Sequence, residues 1–417
     1  TQTSSVPQWN PEKNLWEWWY FTHQIDGSPS VLLYSTSTDG EHWENPELGL
    51  HEWRGSKKNN VALAPGSQHP EHIIRDDTDS DPQRRYKALF GSNGREPAVS
   101  PDGFQWTMLD VPSVPSADTS CFTYDPIGEQ YVLTVKHGTK WGRSVWLSTA
   151  KKFGDFTDPE LIFHTDEIDW ENRRRRVREI IENPAYITPP VIDDEDYIAE
   201  AYKMAIMPYE GMYIGFPLIF NPFGAIPPPH MNFTRINQNE LAVSRDLRSW
   251  ARVADRAVFL GVQPWDGVNY GTNQIAVNDR PILRDNEIWV YFNGHRLSGD
   301  RKRYAQFNGN KELFRLNVDP AVFQDSSALC LAKLGRDRFV SLDAAGTGWV
   351  ITKPFMWNGQ KLRINADARW GEIHAEILDA ETLPDDSNGN VGPDTFDAIP
   401  GFVSYKGETV PMTGDHY

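Results

Sequence analysis

Apolar residues along this chain come in short runs broken by Gly, Pro, Asp and Asn, the pattern of many strands joined by tight turns. Five runs are rich in aromatics: LWEWWYFT at 15–22, RYKALFG at 85–91, QYVLTVKH at 130–137, MYIGFPLIF at 212–220 and EIWVYFNGH at 287–295. Three are followed by the same turn: Ser37-Thr-Asp39-Gly40-x-x-Trp43, Ser100-Pro-Asp102-Gly103-x-x-Trp106 and Ser244-Arg-Asp246-Leu247-x-x-Trp250. WLSTAKKFGDF at 146–156, with Phe156 near the Trp position, is a degenerate fourth copy, and CLAKLGRDRF at 330–339 a fifth. A repeat of about 40 to 50 residues with several strand signals marks propeller blades, because one such unit cannot bury its apolar face alone. The pattern predicts an all-β chain: a five-bladed β-propeller with four-stranded blades over 1–342, and a small C-terminal β-sandwich over 343–417. In that last part the Trp repeat stops, and GWVITKPF, KLRINAD, EIHAEILDA and GFVSY are separated by turn residues.

Two stretches interrupt the period. Residues 164–184 are charged and helix-compatible, ending at Asn183-Pro184, and 221–238 read as a Pro-rich loop. Both are expected on a propeller face, as pocket walls or as contacts within a homo-oligomer. Asp39, Asp102 and Asp246 read as turn residues, since a short carboxylate bonds nearby backbone amides and a following Gly tolerates positive φ. Trp43, Trp106 and Trp250 are expected to pack between blades. The basic run Arg173 to Arg176, set among Glu167, Asp169, Glu171, Glu179 and Glu182, reads as a salt-bridged, solvated helix face.

Charge and cysteine usage narrow the function. With 58 acidic against 41 basic residues and a formal net charge of −17, the chain repels a phosphate backbone, and nucleic acid is not an expected partner. No apolar run reaches the roughly 20 residues of a bilayer span. The first residues carry no basic-then-apolar leader; a removed leader and a secreted or periplasmic location are expected, with the cytoplasm as the alternative. Cys121 and Cys330 are the only cysteines, which excludes a disulfide scaffold and a four-cysteine metal site; both are expected to pack as small hydrophobes.

In a propeller the first strands of all blades converge on one axial pocket. The groups to search there are His69, Glu71, His72 and Asp76 in the second repeat, Asp118 in the third, Glu200 and Tyr202 in the fourth, and Trp265, Asp266 and Asn269 in the fifth, followed by His295 and Arg296. Glycosidic bond cleavage needs an acid to protonate the leaving oxygen and a base or nucleophile opposite, often with a third carboxylate to hold the sugar. Glu200 is the candidate general acid, because Ile198, Ala199 and Ala201 around it imply a burial that raises a carboxyl pKa. Asp118, between Ser116 and Ser120, is its ionised partner, and Asp266 the nucleophile or base. His69, His72, Asp76, Tyr202, Trp265, Asn269, His295 and Arg296 are the substrate-binding candidates, with Arg143 and Arg296 able to face an acidic group. No cofactor is expected; a divalent ion at the axis on His69, His72 and His295 is the alternative, without an HExxH or CxxC spacing to support it.

The strings STDGEHWENPELGL, GSKKNNVAL, DSDPQRRYKALFG, DTSCFTYDP, MPYEGMYIG, FVSLDA and INADARWGEIHAEILDA resemble bacterial proteins described as similar to the N-terminal domain of glycoside hydrolase family 32, over nearly the whole chain. The resemblance implies the five-bladed furanosidase-like propeller of families 32 and 43, a carbohydrate substrate, and a catalytic Asp on the first strand of blade one. Counting back from Asn10 as Asp118 stands to Asp125 reaches Thr3, so that acid is missing here, while Asp118 and Glu200 hold the corresponding places on later blades. The expected function is a glycoside hydrolase acting on the end of a poly- or oligosaccharide. A non-catalytic sugar-binding propeller and a polysaccharide lyase are the alternatives.

Overall fold

The computed structural model describes residues 2–22, 28–187, 197–224, 234–297, 322, 325–350, 366–367 and 371–373. Every aromatic run forms a central strand of an antiparallel sheet. Leu15–Thr22 lies between Gln8–Asn10 and Val31–Ser37. Tyr86–Phe90 lies between Pro70–Arg75 and Gly94–Ser100, which continues to Thr107–Met108. Gln130–Thr139 is flanked by Ser120–Asp125 and Gly142–Ala150, then Glu160–Phe163. Met212–Gly224 is flanked by Glu200–Tyr209 and Ala242–Ser244, then Ala251–Arg252. Glu287–His295 stands between Gln274–Val277 and Ser327–Gly335.

The described strands do not group into five separate four-stranded sheets: in the described residues the first repeat has three strands, and the last two repeats merge into one nine-stranded sheet. The cause lies in the stretch expected to be loop at 221–238. Its described ends extend the strand Met212–Gly224 and return as Thr234–Asn239, which meets Gln274–Val277 in parallel at Asn237 and Gln274.

The core sits between repeats. Trp19, Phe21 and Tyr34 interlock with Tyr86, Ala88 and Phe90; Leu89 and Val99 with Phe122, Tyr131 and Leu133; Val132, Val145 and Leu147 with Met204, Ile206 and Ile219. Trp289 and Tyr291 of the fifth repeat pack on Val6 and Trp18 of the first. Burying each such side chain is worth about 1.5–3 kcal/mol, so these seams hold the repeats together. Trp43, Trp106 and Trp250 each join one of these inter-repeat clusters. Asn293 also bonds the backbone of Thr3 twice, accepting from its N–H at 3.0 Å and donating to its carbonyl at 2.7 Å.

The three turn motifs are built alike. Asp39, Asp102 and Asp246 each accept two backbone N–H groups, those of Glu41 and His42, Phe104 and Gln105, and Arg248 and Ser249. Gly40 and Gly103 have φ of 79° and 82°, and Leu247 holds the same left-handed region at 67°.

The charged insertion is the helix Glu167–Glu182, capped by Asp166, which accepts from Ile168 N and Asp169 N. Its basic run is divided: Arg174 and Arg175 are exposed, with Arg175 paired to Glu179 at 3.9 Å as expected of a solvated face, while the other two arginines turn inward. Arg173 and Arg176 are buried, Arg173 donating to Pro222 O and Arg176 pairing with Glu240 at 2.7 Å, while Asp169 pairs with Arg252 at 2.8 Å. The helix thus packs Asp169, Arg173 and Arg176 against the fourth repeat, where each finds a partner, and keeps its other charges at the surface.

The chain divides into two compact parts, Thr1–Arg336 and Asp337–Tyr417. The strands expected of a C-terminal sandwich lie almost wholly outside the described residues, and the described ones after 337 form no strand. Cys121 is buried, Cys330 half-buried, and both are free. No helix among the described residues is long and apolar enough to cross a membrane.

Candidate functional site

One cavity of about 150 Å³ draws its lining from all five repeats: Gln2, Thr3 and Ser4; Glu71; Asp118 and Thr119; Tyr202 and Lys203; and Gln274, Ala276, Asn293 and His295. Two of its side chains are placed by β-bulges. Pairing passes from Pro70–Phe90 to His72–Leu89 with Glu71 as the extra residue, and from Ala201–Ile219 to Lys203–Leu218 with Tyr202 extra. A bulge re-aims the inserted side chain, and here both point at the cavity. In the fifth repeat plain alternation suffices, since Gln274 is paired with His295 and Ala276 with Asn293.

Asp118 is the most elaborated group of the cavity. Its Oδ2 accepts from Tyr202 Oη at 3.0 Å, and its Oδ1 is paired with Lys136 Nζ, which lies 3.6 Å from the Tyr202 ring centroid. Burial pushes the Asp118 carboxyl up, but Lys136, Tyr202 and Arg143 outweigh it and hold it below the usual carboxylate range. Lys136 is itself buried, and desolvation brings its ammonium down to about 8 against the pull of Asp118.

Glu200 joins the same cluster from outside the cavity lining. Its Oε1 accepts from Arg143 N at 2.9 Å and its Oε2 is paired with the Arg143 guanidinium. Ala199 and Ala201, which suggested an apolar site, alternate to the other face and belong to the core between the third and fourth repeats. The expected unpaired surroundings are therefore corrected to an ion pair. Asp118 and Glu200 are brought together through neighbouring cations.

Asp266 is placed elsewhere. It is exposed in the loop before Gln274–Val277, and its Oδ1 accepts from Asn269 N at 2.7 Å and Val268 N at 2.8 Å, which lowers its pKa. Trp265 and Asn269 belong to the same loop. Arg296 clamps that loop from below, donating to Asn269 O at 3.2 Å and Asp325 O at 2.9 Å with its guanidinium 3.9 Å from the Tyr270 ring centroid.

Three further expectations separate. His72 does not face a ligand: it is fully buried, with Nδ1 against Asp279 Oδ1 at 2.7 Å and Nε2 against Ser120 Oγ at 2.5 Å, while Arg95 Nε donates to the same hydroxyl at 2.6 Å. Burial raises the Asp279 carboxyl despite the opposing pull of His72. Asp76 stands five residues beyond Glu71, roughly 16 Å along an extended strand, where Lys87 at 2.8 Å and Tyr131 at 2.6 Å engage it. Burial raises the Asp76 carboxyl, but its hydrogen bonds with Lys87, Thr78 and Tyr131 leave it well below the usual range. His69 lines a second, larger hollow and packs against Phe21, ring centroids 4.2 Å apart and tilted by 39°. Of the groups sought, Glu71, Asp118, Tyr202 and His295 line the cavity of about 150 Å³.

Glu71 was among the groups sought but was given no role, and Lys136 and Lys203 were not singled out from the sequence at all. The signal for Lys136 was present: a lysine within the otherwise apolar run QYVLTVKH must either end the strand or be buried with a partner. Among the described residues no cluster of three or more His, Cys, Asp or Glu is arranged to hold a metal ion.

No protein-family model matches the chain, and no curated protein matches its sequence. Solved structures similar in backbone include a thermostable family-43 glycoside hydrolase, at 13% identity and a TM-score of 0.40, covering 70% of this chain and 85% of that one. An endo-1,4-beta-xylanase from Bacteroides thetaiotaomicron aligns at 11% identity and a TM-score of 0.41, over 68% of this chain and 81% of that one. An N-acetylgalactosamine deacetylase from F. plautii aligns at 12% identity and a TM-score of 0.38, over 67% and 75%. At these scores the likeness decides neither activity nor substrate, and the neighbours are glycoside hydrolase-like proteins at low identity.

Proposed function

We propose that the first part of the chain is a five-bladed β-propeller that processes carbohydrate, as a glycoside hydrolase acting on the end of a poly- or oligosaccharide. The carrying observation is the cavity to which all five repeats contribute, with carboxylates, hydroxyls and amides on its wall. The packing of the fifth repeat on the first supports a closed ring. Sugar hydroxyls need such convergent donors and acceptors, and about 150 Å³ is small beside the roughly 300–1,000 Å³ of drug-sized sites, which suits one terminal sugar.

In this reading Asp118 is the ionised carboxylate that stabilises positive charge developing at the anomeric carbon, and Tyr202 and Lys136 orient it. Glu200, released from Arg143 when substrate binds, takes a proton from solvent and then gives it to the leaving oxygen. Asp266 serves as base only with its loop turned toward the cavity. The test is a glycan array followed by hydrolysis assays on whatever is retained. Asp118→Asn should lower turnover at least about a hundredfold while glycans are still retained; unchanged turnover in that variant ends the role given to Asp118, and no hydrolysis of any retained glycan ends the hydrolase assignment.

One observation favours a binding-only propeller: Asp118 and Glu200 are both occupied by cations, and Thr3 stands where the first-blade acid was sought. Retention of glycans with no hydrolysis of any of them selects that reading.

A further inference from the structure

The axial cavity has a neighbour. A hollow of about 660 Å³ opens beside it, lined by Ser30, Ser67, Gln68, His69 and Ser92 among others, and Glu71 belongs to the linings of both. The rest of the partition is an aromatic pair, Phe21 on the cavity side and His69 on the groove side, 4.2 Å apart. We propose that this groove is a second saccharide subsite continuous with the cavity, taking a neutral sugar residue, with Glu71 at the boundary touching the linkage between the two sugars. The inference rests on the carbohydrate reading above.

Three features carry it. Glu71 is the inserted residue of its bulge, so its carboxylate leaves the ladder at the place where the two hollows meet. Its one side-chain hydrogen bond among the described residues is from Ser4 Oγ at 3.2 Å, and a carboxylate offers about four acceptor sites, so capacity remains for sugar hydroxyls. The groove wall is otherwise small, polar and uncharged. Burial pushes the His69 imidazole below its ordinary value, which favours a neutral ring face beside Phe21. Gly91 keeps the wall bare: at φ 92°, a Cβ there would come within 2.8 Å of both Gln68 Nε2 and Gly94 O. A terminal sugar in the small cavity then leaves the next residue of the chain facing a groove that can hold it.

The experiment is calorimetric binding of the mono-, di- and trisaccharide of whichever series the glycan array retains, using the full chain, Ser92→Trp and Glu71→Gln. Ser92 is exposed, so Trp there fills the groove without entering the core. Ser92→Trp should leave the monosaccharide Kd within about twofold and weaken the longer ligands at least about tenfold, and Glu71→Gln should weaken the disaccharide more than the monosaccharide. Equal weakening at every length, or none for the longer ligands, overturns the groove as a subsite while leaving the carbohydrate reading intact. A protein that retains no glycan overturns that reading and this inference together.

Discussion

Lys136 couples the cavity to pH. Its ammonium sits near 8 instead of the ordinary 10.5 because burial disfavours the charge more than Asp118 favours it. Between those values the unfolded chain carries more protons at this residue than the folded one, so its contribution to stability rises with pH. Asp118 has the opposite history. Its depressed carboxyl stabilises the fold above the ordinary carboxylate range, and that contribution is lost as pH falls through the depressed value. Ligand binding should therefore change across roughly pH 7.5 to 8.5, where Asp118 loses its cation, without a fall in thermal stability over the same interval. Lys136→Gln should abolish that alkaline transition in a calorimetric pH series, and a transition that persists in the variant would assign it to another group.

Turns and bulges account for most of what these elements do beyond packing. The repeated Ser-x-Asp turn is self-contained: each carboxylate is spent on the two amides beyond it, so Asp102→Ala should lower stability by about 1 kcal/mol in urea melts and leave glycan retention unchanged. Loss of retention with intact folding would contradict a purely structural role. These turns and the five aromatic strands were legible in the sequence because a period-two apolar pattern and an Asp-Gly turn each have one cheap physical solution. The bulges at Glu71 and Tyr202 were not, since an inserted residue leaves no mark in composition and yet decides which side chain faces the cavity. Asp266 misled for a related reason. A carboxylate before Gly and Asn bonds its own loop, as the turn acids do, and the same rule applied to PWDGVN would have removed it from the candidate site. The burial of Arg173 and Arg176 was hidden because their partners, Pro222 and Glu240, lie about 50 to 60 residues away in the chain.

At the scale of the molecule, a buried polar set links repeats that are distant in sequence. Asp279 of the fifth repeat accepts from Phe122 N of the third at 2.9 Å and meets His72 of the second, whose other nitrogen meets Ser120. Removing one partner strands the other without water, so His72→Ala and Asp279→Ala should each cost about 3–5 kcal/mol, and the double variant much less than their sum. Additive losses in denaturant melts would show that the two residues act separately.

The pairing of Asn293 with Thr3 spans 290 positions of the sequence. Closing so long a loop is an entropic cost that grows only slowly with length, but contacts of this separation form late. During synthesis the repeats can stack one on the next as each emerges, whereas the cavity wall stays incomplete until Asn293 has left the ribosome and met the earlier segment around Thr3. On the proposed carbohydrate reading, a sugar that fits the finished cavity has nothing to grip in the open chain, so it would act as a fastener on the seam, stabilising the joined state by RT ln(1 + [L]/Kd).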